Sequence, residues 1–153
     1  MIKIVAIGKV KEKAMNELIA EYQKRLKPIS QVMLIELPNS KKQDSDIQGI
    51  IEDESDRILS KVSPQDYVIL LDLKGKDLSS EKMSEHVMGV LDTSKPIAFI
   101  IGGSHGVSDE IRNRANYRWR ISNLTFPHQL VRLMLYEQIY RIFMISKNHP
   151  YHK

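Results

Sequence analysis

The residues best suited to bind a ligand form a glycine-rich turn, Gly102-Gly103-Ser104-His105-Gly106, directly after the apolar run 97–101. A strand that ends in such a turn is where an α/β sheet places a ligand, because backbone without a Cβ lets N–H groups approach closely. Many glycine-rich turns only supply positive φ angles, so the motif supports a ligand site and a structural turn equally. The spacing matches neither a dinucleotide fingerprint nor a P-loop, which argues against nucleoside triphosphate chemistry.

Two further segments are predicted to reach the same edge of the sheet as this turn. They are 71–75 (LDLKG), after a predicted strand, and 121–126 (ISNLTF), before the last predicted helix. Their apolar side chains, backbone amides and small polar groups suit an adenine and a ribose better than a highly charged ligand. Ordinary turns are the alternative.

The sequence gives little support for a metal site or for a nucleophilic catalytic residue. There is no cysteine, and His128, His149 and His152 have no partner at metal-ligand spacing on one element. Ser104 does not stand in the Gly-x-Ser-x-Gly pattern of a hydrolase elbow. We therefore expect no bound metal and no serine hydrolase.

Two arginines, Arg132 and Arg141, fall within a long apolar stretch, where an unpaired buried charge is costly. Glu137 precedes Arg141 by four residues, the spacing of an i,i+4 ion pair, so this pair is predicted to be structural. Arg132 has no acidic residue three or four positions away on either side. It is therefore a candidate for binding an external phosphate, or a carboxylate across a dimer interface.

Short β-branched runs alternate with amphipathic stretches along the chain, which predicts βαβ units in an α/β fold, a mostly parallel sheet flanked by helices. The length of 153 residues suits a single domain spanning 1–153. The predicted strands are 2–7, 32–37, 67–73, 97–101 and 119–122. The predicted helices are 12–27, one containing 47–59, one capped by Ser79 or Ser80 and reaching Leu91, a short one begun by Ser108, and one over roughly 128–146.

The last predicted helix is apolar on almost every side, unlike a surface helix with one apolar stripe. Such a helix must be enclosed, either in the core of a monomer or between subunits. We favour a homodimer with two-fold symmetry; a central core helix in a monomer is the alternative.

Composition places the chain among cytoplasmic, soluble proteins. It lacks cysteine, and it shows neither a signal sequence nor an apolar run of membrane-spanning length. The formal net charge is +4, but residues 102–153 carry eight Lys and Arg, six of them Arg, against three Asp and Glu. This basic region is either a solvated face or a surface for a polyanionic partner. We expect no membrane partner.

Five blocks of the sequence resemble the RlmH family of SPOUT methyltransferases, and the resemblance runs the whole length. The blocks are KIVAIGKVKE, EYQKRL, IGGSHG, LTFPHQLVRLMLYEQIYR and NHPYHK. The resemblance implies a SPOUT-type α/β fold with a C-terminal trefoil knot, which pattern analysis would have rejected because knots are rare. It also implies an active site built from both subunits of a homodimer.

The resemblance further implies that S-adenosylmethionine binds among the three loops, at Leu71, Gly102, Ile121, Ser122, Asn123, Leu124, Thr125 and Phe126. The implied substrate is a pseudouridine in a stem-loop of 23S rRNA (helix 69), methylated at N3 in the assembled ribosome. Our hypothesis for the target pocket takes Arg132, His128, Tyr151 and His152, polar residues near that loop or in the basic tail.

Two other functions stay open at this point. A Rossmann-like small-molecule transferase would act on free metabolites without RNA. A non-catalytic ribosome-binding module would bind RNA in a salt-sensitive manner but would not take up S-adenosylmethionine.

Overall fold

Strands and helices alternate along the chain in a computed structural model that describes residues 1–153. The strands are β1 (Ile2–Ile7), β2 (Val32–Leu37), β3 (Tyr67–Lys76), β4 (Ile97–Ile101) and β5 (Tyr117–Trp119). The helices are α1 (Lys13–Leu26), α2 (Ile47–Leu59), α3 (Ser80–Leu91), α4 (Asp109–Arg114) and α5 (His128–Ser146). The strand order is β2-β1-β4-β3-β5, and every pairing is parallel. The predicted α/β fold with a parallel sheet is confirmed.

The inner strands β1 and β4 are buried on both faces, because successive side chains point to opposite sides of the sheet and helices cover both sides. In β1, Ile4 and Ala6 belong to the core beneath α1, α3 and α5, whereas Val5 and Ile7 belong to the core beneath α2 and α4. All five residues of the central strand β4 are buried. Helices on both faces therefore account for the near-continuous apolar runs that the sequence shows.

Side-chain caps begin three of the helices. Asp46 Oδ1 accepts a hydrogen bond from the Gly49 amide at 3.0 Å, at the start of α2. The Oγ atoms of Ser79 and Ser108 accept from amides in the first turns of α3 and α4. The predicted caps are thus confirmed at Ser108, and at Ser79 rather than Ser80.

The predicted strand at 119–122 is wrong by two residues. β5 pairs with β3 so that Tyr117 lies opposite Ile69 and Trp119 opposite Leu71, and the chain then leaves the sheet. Trp119 pairs a second time with Lys76, across an irregularity in β3 that follows Leu71. The short β5 is fixed by this pairing with β3, a long-range contact that its own sequence does not reveal.

Helix α5 has the predicted bounds and packs against α1 and α3. Its residues Leu135, Ile139 and Ile142 are buried in that core. The apolar residues of its first two turns are only half-buried, and these are Leu130, Val131, Leu133 and Met134. One subunit therefore encloses α5 only in part.

The trefoil knot stays a prediction. None of the helices combines the length and the apolar character that a membrane span requires.

The structure gives Arg132 an acidic partner in its own chain, where the sequence had suggested an external phosphate or a carboxylate across a dimer interface. Arg132 is 1% exposed, and its Nη1 donates to Glu36 Oε2 at 2.6 Å and to the Gly8 carbonyl at 3.0 Å. Its Nη2 donates to the Ile7 carbonyl at 3.2 Å. Burial lowers the pKa of the Arg132 guanidinium, and the charge of Glu36 opposes that shift. Glu36 lies 96 residues away in sequence, beyond any helix-spacing rule.

Arg132→Met should lower the free energy of unfolding by about 3 kcal/mol, because it leaves Glu36 and two backbone carbonyls without their buried donor. Lys13→Met is the control, since the Lys13 and Glu17 side chains are 93% and 67% exposed and their charges are 3.9 Å apart. This exposed pair should contribute about 0.5 kcal/mol or less. Urea denaturation measures the free energy of unfolding of both variants. Equal losses would show that the buried Arg132 contributes no more than an exposed ion pair.

Candidate functional site

A cavity of about 420 Å³ opens at the edge of the sheet where β3, β4 and β5 end. Its walls come from the segments 71–74, 101–107, 119–122 and 124–126, from Arg112 of α4, and from His128, Val131 and Met134 of α5. Because all the strands are parallel, their carboxyl ends and the loops that follow them meet at one edge. The three segments that the sequence predicted to converge do converge, although 71–74 belongs to the irregular second half of β3 rather than to a loop after it.

The glycine turn after β4 is shaped by close contacts. Gly106 has φ +88° and donates its amide to the Gly103 carbonyl at 3.0 Å. A Cβ on Gly102 would lie 2.6 Å from Val107 Cγ1, and a Cβ on Gly103 would overlap Glu54 Oε1. Neither position has room for a side chain, so only backbone lies along this part of the cavity wall.

Helix α2 supports the glycine turn from outside the cavity. Glu54 is 3% exposed, and its Oε2 accepts from the Ser40 amide at 2.8 Å. The next residue, Ser55, accepts at Oγ from the Ser108 amide at 2.9 Å, just beyond the turn. Sequence analysis missed both residues, because the acidic face of an amphipathic helix is ordinarily solvated.

Ion pairs hold the other two cavity walls. Arg118 and Asp72 approach to 2.7 Å, which joins β5 to the segment after Leu71. Burial opposes ionisation of Asp72, but hydrogen bonds from the Lys74 amide and from Arg118 outweigh it and lower the pKa of Asp72. This carboxylate therefore stays charged and keeps its bond to Arg118 through the neutral pH range.

The loop after β5 is held by a second arginine, Arg120. Arg120 binds both carboxylate oxygens of Asp77, at 2.7 and 2.6 Å, and donates to Asn123 Oδ1 at 3.0 Å. The Asn123 side chain is thereby turned to Arg120, and Asn123 does not line the cavity. The other seven residues predicted for the cofactor do line it, namely Leu71, Gly102, Ile121, Ser122, Leu124, Thr125 and Phe126.

Of the four residues proposed for the target pocket, only His128 lines this cavity. Arg132 is directed to the end of β1, and the tail packs on α3 and α5 of its own subunit. Tyr151 donates its hydroxyl to Glu137 Oε1 at 3.0 Å, and His152 Nε2 lies 2.8 Å from Glu81 Oε1. The predicted pair of Glu137 and Arg141 is confirmed at 2.6 Å.

A parallel sheet with a cavity at its carboxyl edge is the arrangement in which α/β proteins typically bind small ligands. The model of the family described as "Predicted SPOUT methyltransferase" matches residues 1–152. The chain therefore belongs to the SPOUT methyltransferase family.

Relatives with assigned functions match over nearly the whole chain. Ribosomal RNA large subunit methyltransferase H of Desulfitobacterium hafniense (strain Y51) is 46% identical over 157 aligned positions, which cover 99% of this chain and 98% of the relative. Ribosomal RNA large subunit methyltransferase H 1 of Clostridium perfringens (strain SM101 / Type A) is also 46% identical and covers 99% of each chain. The same identity and coverage hold for the methyltransferase H of Streptococcus agalactiae serotype III (strain NEM316). These matches confirm the resemblance to the RlmH family.

Gly103→Ala should lower the free energy of unfolding by about 1–3 kcal/mol, because the new methyl group must displace the buried Glu54 carboxylate. Gly89→Ala is the matched control, since a Cβ on this exposed residue of α3 meets nothing within 4 Å. The control should raise stability by up to about 1 kcal/mol through helix propensity. Thermal or urea unfolding measures both variants. An unchanged free energy of unfolding for Gly103→Ala would show that the turn is not tightly packed.

Proposed function

We propose that this protein transfers a methyl group from S-adenosylmethionine to N3 of a pseudouridine in a 23S rRNA stem-loop (helix 69), on the assembled ribosome in the cytoplasm. The observation that carries the proposal is the cavity where three strand-end loops meet, in a member of the SPOUT methyltransferase family. The 46% identical relatives named for rRNA methylation support an RNA substrate.

The residues around the cavity fit S-adenosylmethionine. A volume of about 420 Å³ lies within the range of about 300–1,000 Å³ that small-molecule sites occupy. Leu71, Ile121 and Phe126 offer apolar surface to an adenine ring, and Gly102 leaves backbone accessible beside them. Ser122 and Thr125 add small hydroxyl groups suited to a ribose. We propose that these residues hold the cofactor, with Leu124 at the mouth and Asn123 acting through Arg120.

When bound, S-adenosylmethionine supplies an electrophilic methyl group on a sulfonium centre. The protein must then hold N3 of the target base in line with that methyl group and favour loss of the N3 proton. We assign acceptance of this proton to His128, which is exposed at the first residue of α5 and lies on the cavity wall. Correct alignment alone lowers the activation barrier by up to roughly 7–11 kcal/mol in favourable cases. Positioning the base is therefore a larger contribution than accepting its proton.

The other residues proposed for the target pocket take less direct roles. Arg132 is buried on Glu36, and we assign it the positioning of α5 against the end of β1 rather than contact with the base. Tyr151 and His152 lie outside the cavity of their own subunit. We keep them in the proposal through the two-subunit active site that the family resemblance implies, in which the tail of one copy borders the cavity of the other.

We also propose a homodimer that joins through α1 and the start of α5. An apolar groove of about 620 Å³ lies there, formed by Ala14, Met15, Leu18, Leu130 and Leu133. Leu18 is 52% exposed, a large apolar area for a solvent-facing helix. His128 lines both this groove and the cavity, so a second copy seated in the groove would lie beside the active site.

The decisive experiment combines binding and transfer. Calorimetry with S-adenosylmethionine should show one site per chain. Incubation with the labelled methyl donor and, separately, 70S ribosomes, isolated subunits or naked rRNA should label 23S rRNA in the ribosome. RNA binding without cofactor uptake would support a non-catalytic module instead, and label on free metabolites alone would support a small-molecule transferase.

Ile121→Ala should weaken binding of S-adenosylmethionine by about 1–2 kcal/mol, roughly 5–30-fold, because it removes part of the apolar cavity wall. The control is Ile47→Ala, which removes the same group from a residue of α2 that is 50% exposed and does not line the cavity. Calorimetry should show unchanged affinity for the control. Equal affinity for both variants would place the cofactor elsewhere.

Leu18→Glu should convert the proposed dimer into a species of the 17.7 kDa chain mass, because a carboxylate in the groove cannot be desolvated without a partner. Ile47→Glu introduces the same charge at an equally exposed apolar residue of α2 and should leave the dimer intact. Sedimentation velocity measures both. A wild-type protein that sediments only at the chain mass would contradict the dimer.

A further inference from the structure

The arginines that make the C-terminal region basic are already engaged within the chain. Five of the six are paired with carboxylates, and these are Arg112, Arg118, Arg120, Arg132 and Arg141. The sixth, Arg114, donates to the carbonyls of Ser63 and Asp66, each at 2.9 Å. Each of these guanidinium groups already donates to partners within the chain, so cations without such partners are more readily available to bind phosphate.

Two lysines in the loop between β1 and α1 have no ion-pair partner within the chain. Lys9 and Lys11 are exposed, and neither ammonium group lies within 4.0 Å of a carboxylate. The nearest acidic residue in sequence, Glu12, is also exposed and forms no ion pair with them. Val10, between the two lysines, is buried. The alternation places both charges on the outer side of the loop.

The backbone of this loop is held by side chains from three other elements. The Val10 amide donates to Glu36 Oε2 at 2.9 Å, and the Val10 carbonyl accepts from Asn16 Nδ2 at 2.9 Å. The Lys11 amide donates to Gln129 Oε1 at 3.2 Å, and Arg132 binds the Gly8 carbonyl. A loop anchored at successive residues loses little further backbone freedom on binding, which favours its use as a recognition surface.

The position of the loop joins it to the cavity. Gln129 and Arg132, which hold the loop, belong to the same turns of α5 as His128 and Val131, which line the cavity. On the opposite wall, Lys74 and His105 line the cavity, and neither forms an ion pair. Lysines without an ion-pair partner thus lie beside the start of α5, at Lys9 and Lys11, and on the cavity wall, at Lys74.

We propose that Lys9 and Lys11 bind the phosphate backbone of the RNA that flanks the target nucleotide, on the α5 side of the cavity. The proposal rests on the proposed function, since it names the surface through which the same site holds its RNA substrate. Phosphate contacts of this kind fix the register and orientation of the protein on RNA without reading its sequence. They therefore act on RNA affinity and leave the cofactor site unchanged.

The test compares the double variant Lys9→Gln, Lys11→Gln with a matched control, Lys24→Gln, Lys27→Gln. The control lysines are exposed, form no ion pair and lie at the far end of α1, which faces the amino edge of the sheet. The probe is the 70S ribosome, with binding measured as a function of salt concentration. Methylation kinetics and calorimetry with S-adenosylmethionine are measured on the same preparations.

The Lys9 and Lys11 variant should reduce the slope of log K against log salt by about 1.4–1.8, the effect of losing two phosphate contacts. Its KM for ribosomes should rise about tenfold, while kcat and the affinity for S-adenosylmethionine stay at the wild-type values. An unchanged salt slope, or an equal change in the control, would overturn the proposal. Wild-type protein that bound ribosomes but took up no S-adenosylmethionine would overturn the proposed function, and would leave the lysine surface standing if the slope still fell.

Discussion

The arrangement at the carboxyl end of β1 depends on one buried cation. Arg132 of α5 binds the carbonyls of Ile7 and Gly8, at the end of the strand, and pairs with Glu36 of β2. The same carboxylate oxygen accepts the Val10 amide. A single guanidinium thus connects the last helix, two neighbouring strands and the first loop. Without it, burial of these polar groups would be unfavourable.

This connection determines where the first turns of α5 lie. With Arg132 directed to the end of β1, the residues one and four positions earlier, Val131 and His128, face the cavity beyond β4. Residues Leu130 and Leu133 face the groove beside α1. Because successive helix residues are about 100° apart, three directions are available in one stretch of two turns. One direction points to the sheet, one to the cavity and one to the apolar groove.

Local sequence patterns were sufficient for most of the fold. Apolar periodicity, the Ser108 cap and one long apolar stretch located the five helices, and apolar runs located four of the five strands. The convergence of three loops followed from parallel topology alone. The pattern could not locate β5, whose end is set by pairing with β3, or the buried roles of Glu54 and Arg132, whose partners lie far away in sequence. The family resemblance, not the pattern, supplied the chemistry.

The distribution of charge shows that composition alone does not say which cations are available to a polyanion. An arginine-rich segment suggests phosphate binding, but arginine is also the side chain that best satisfies buried carbonyls and carboxylates. Here Arg118 and Arg120 hold the cavity walls, and Arg132 holds the end of β1. A residue that keeps a site in shape cannot easily exchange its partners for a substrate without disturbing that shape. In our proposal, phosphate binding falls instead to Lys9 and Lys11, which are exposed and belong to neither cavity wall, so the arginines can keep their partners.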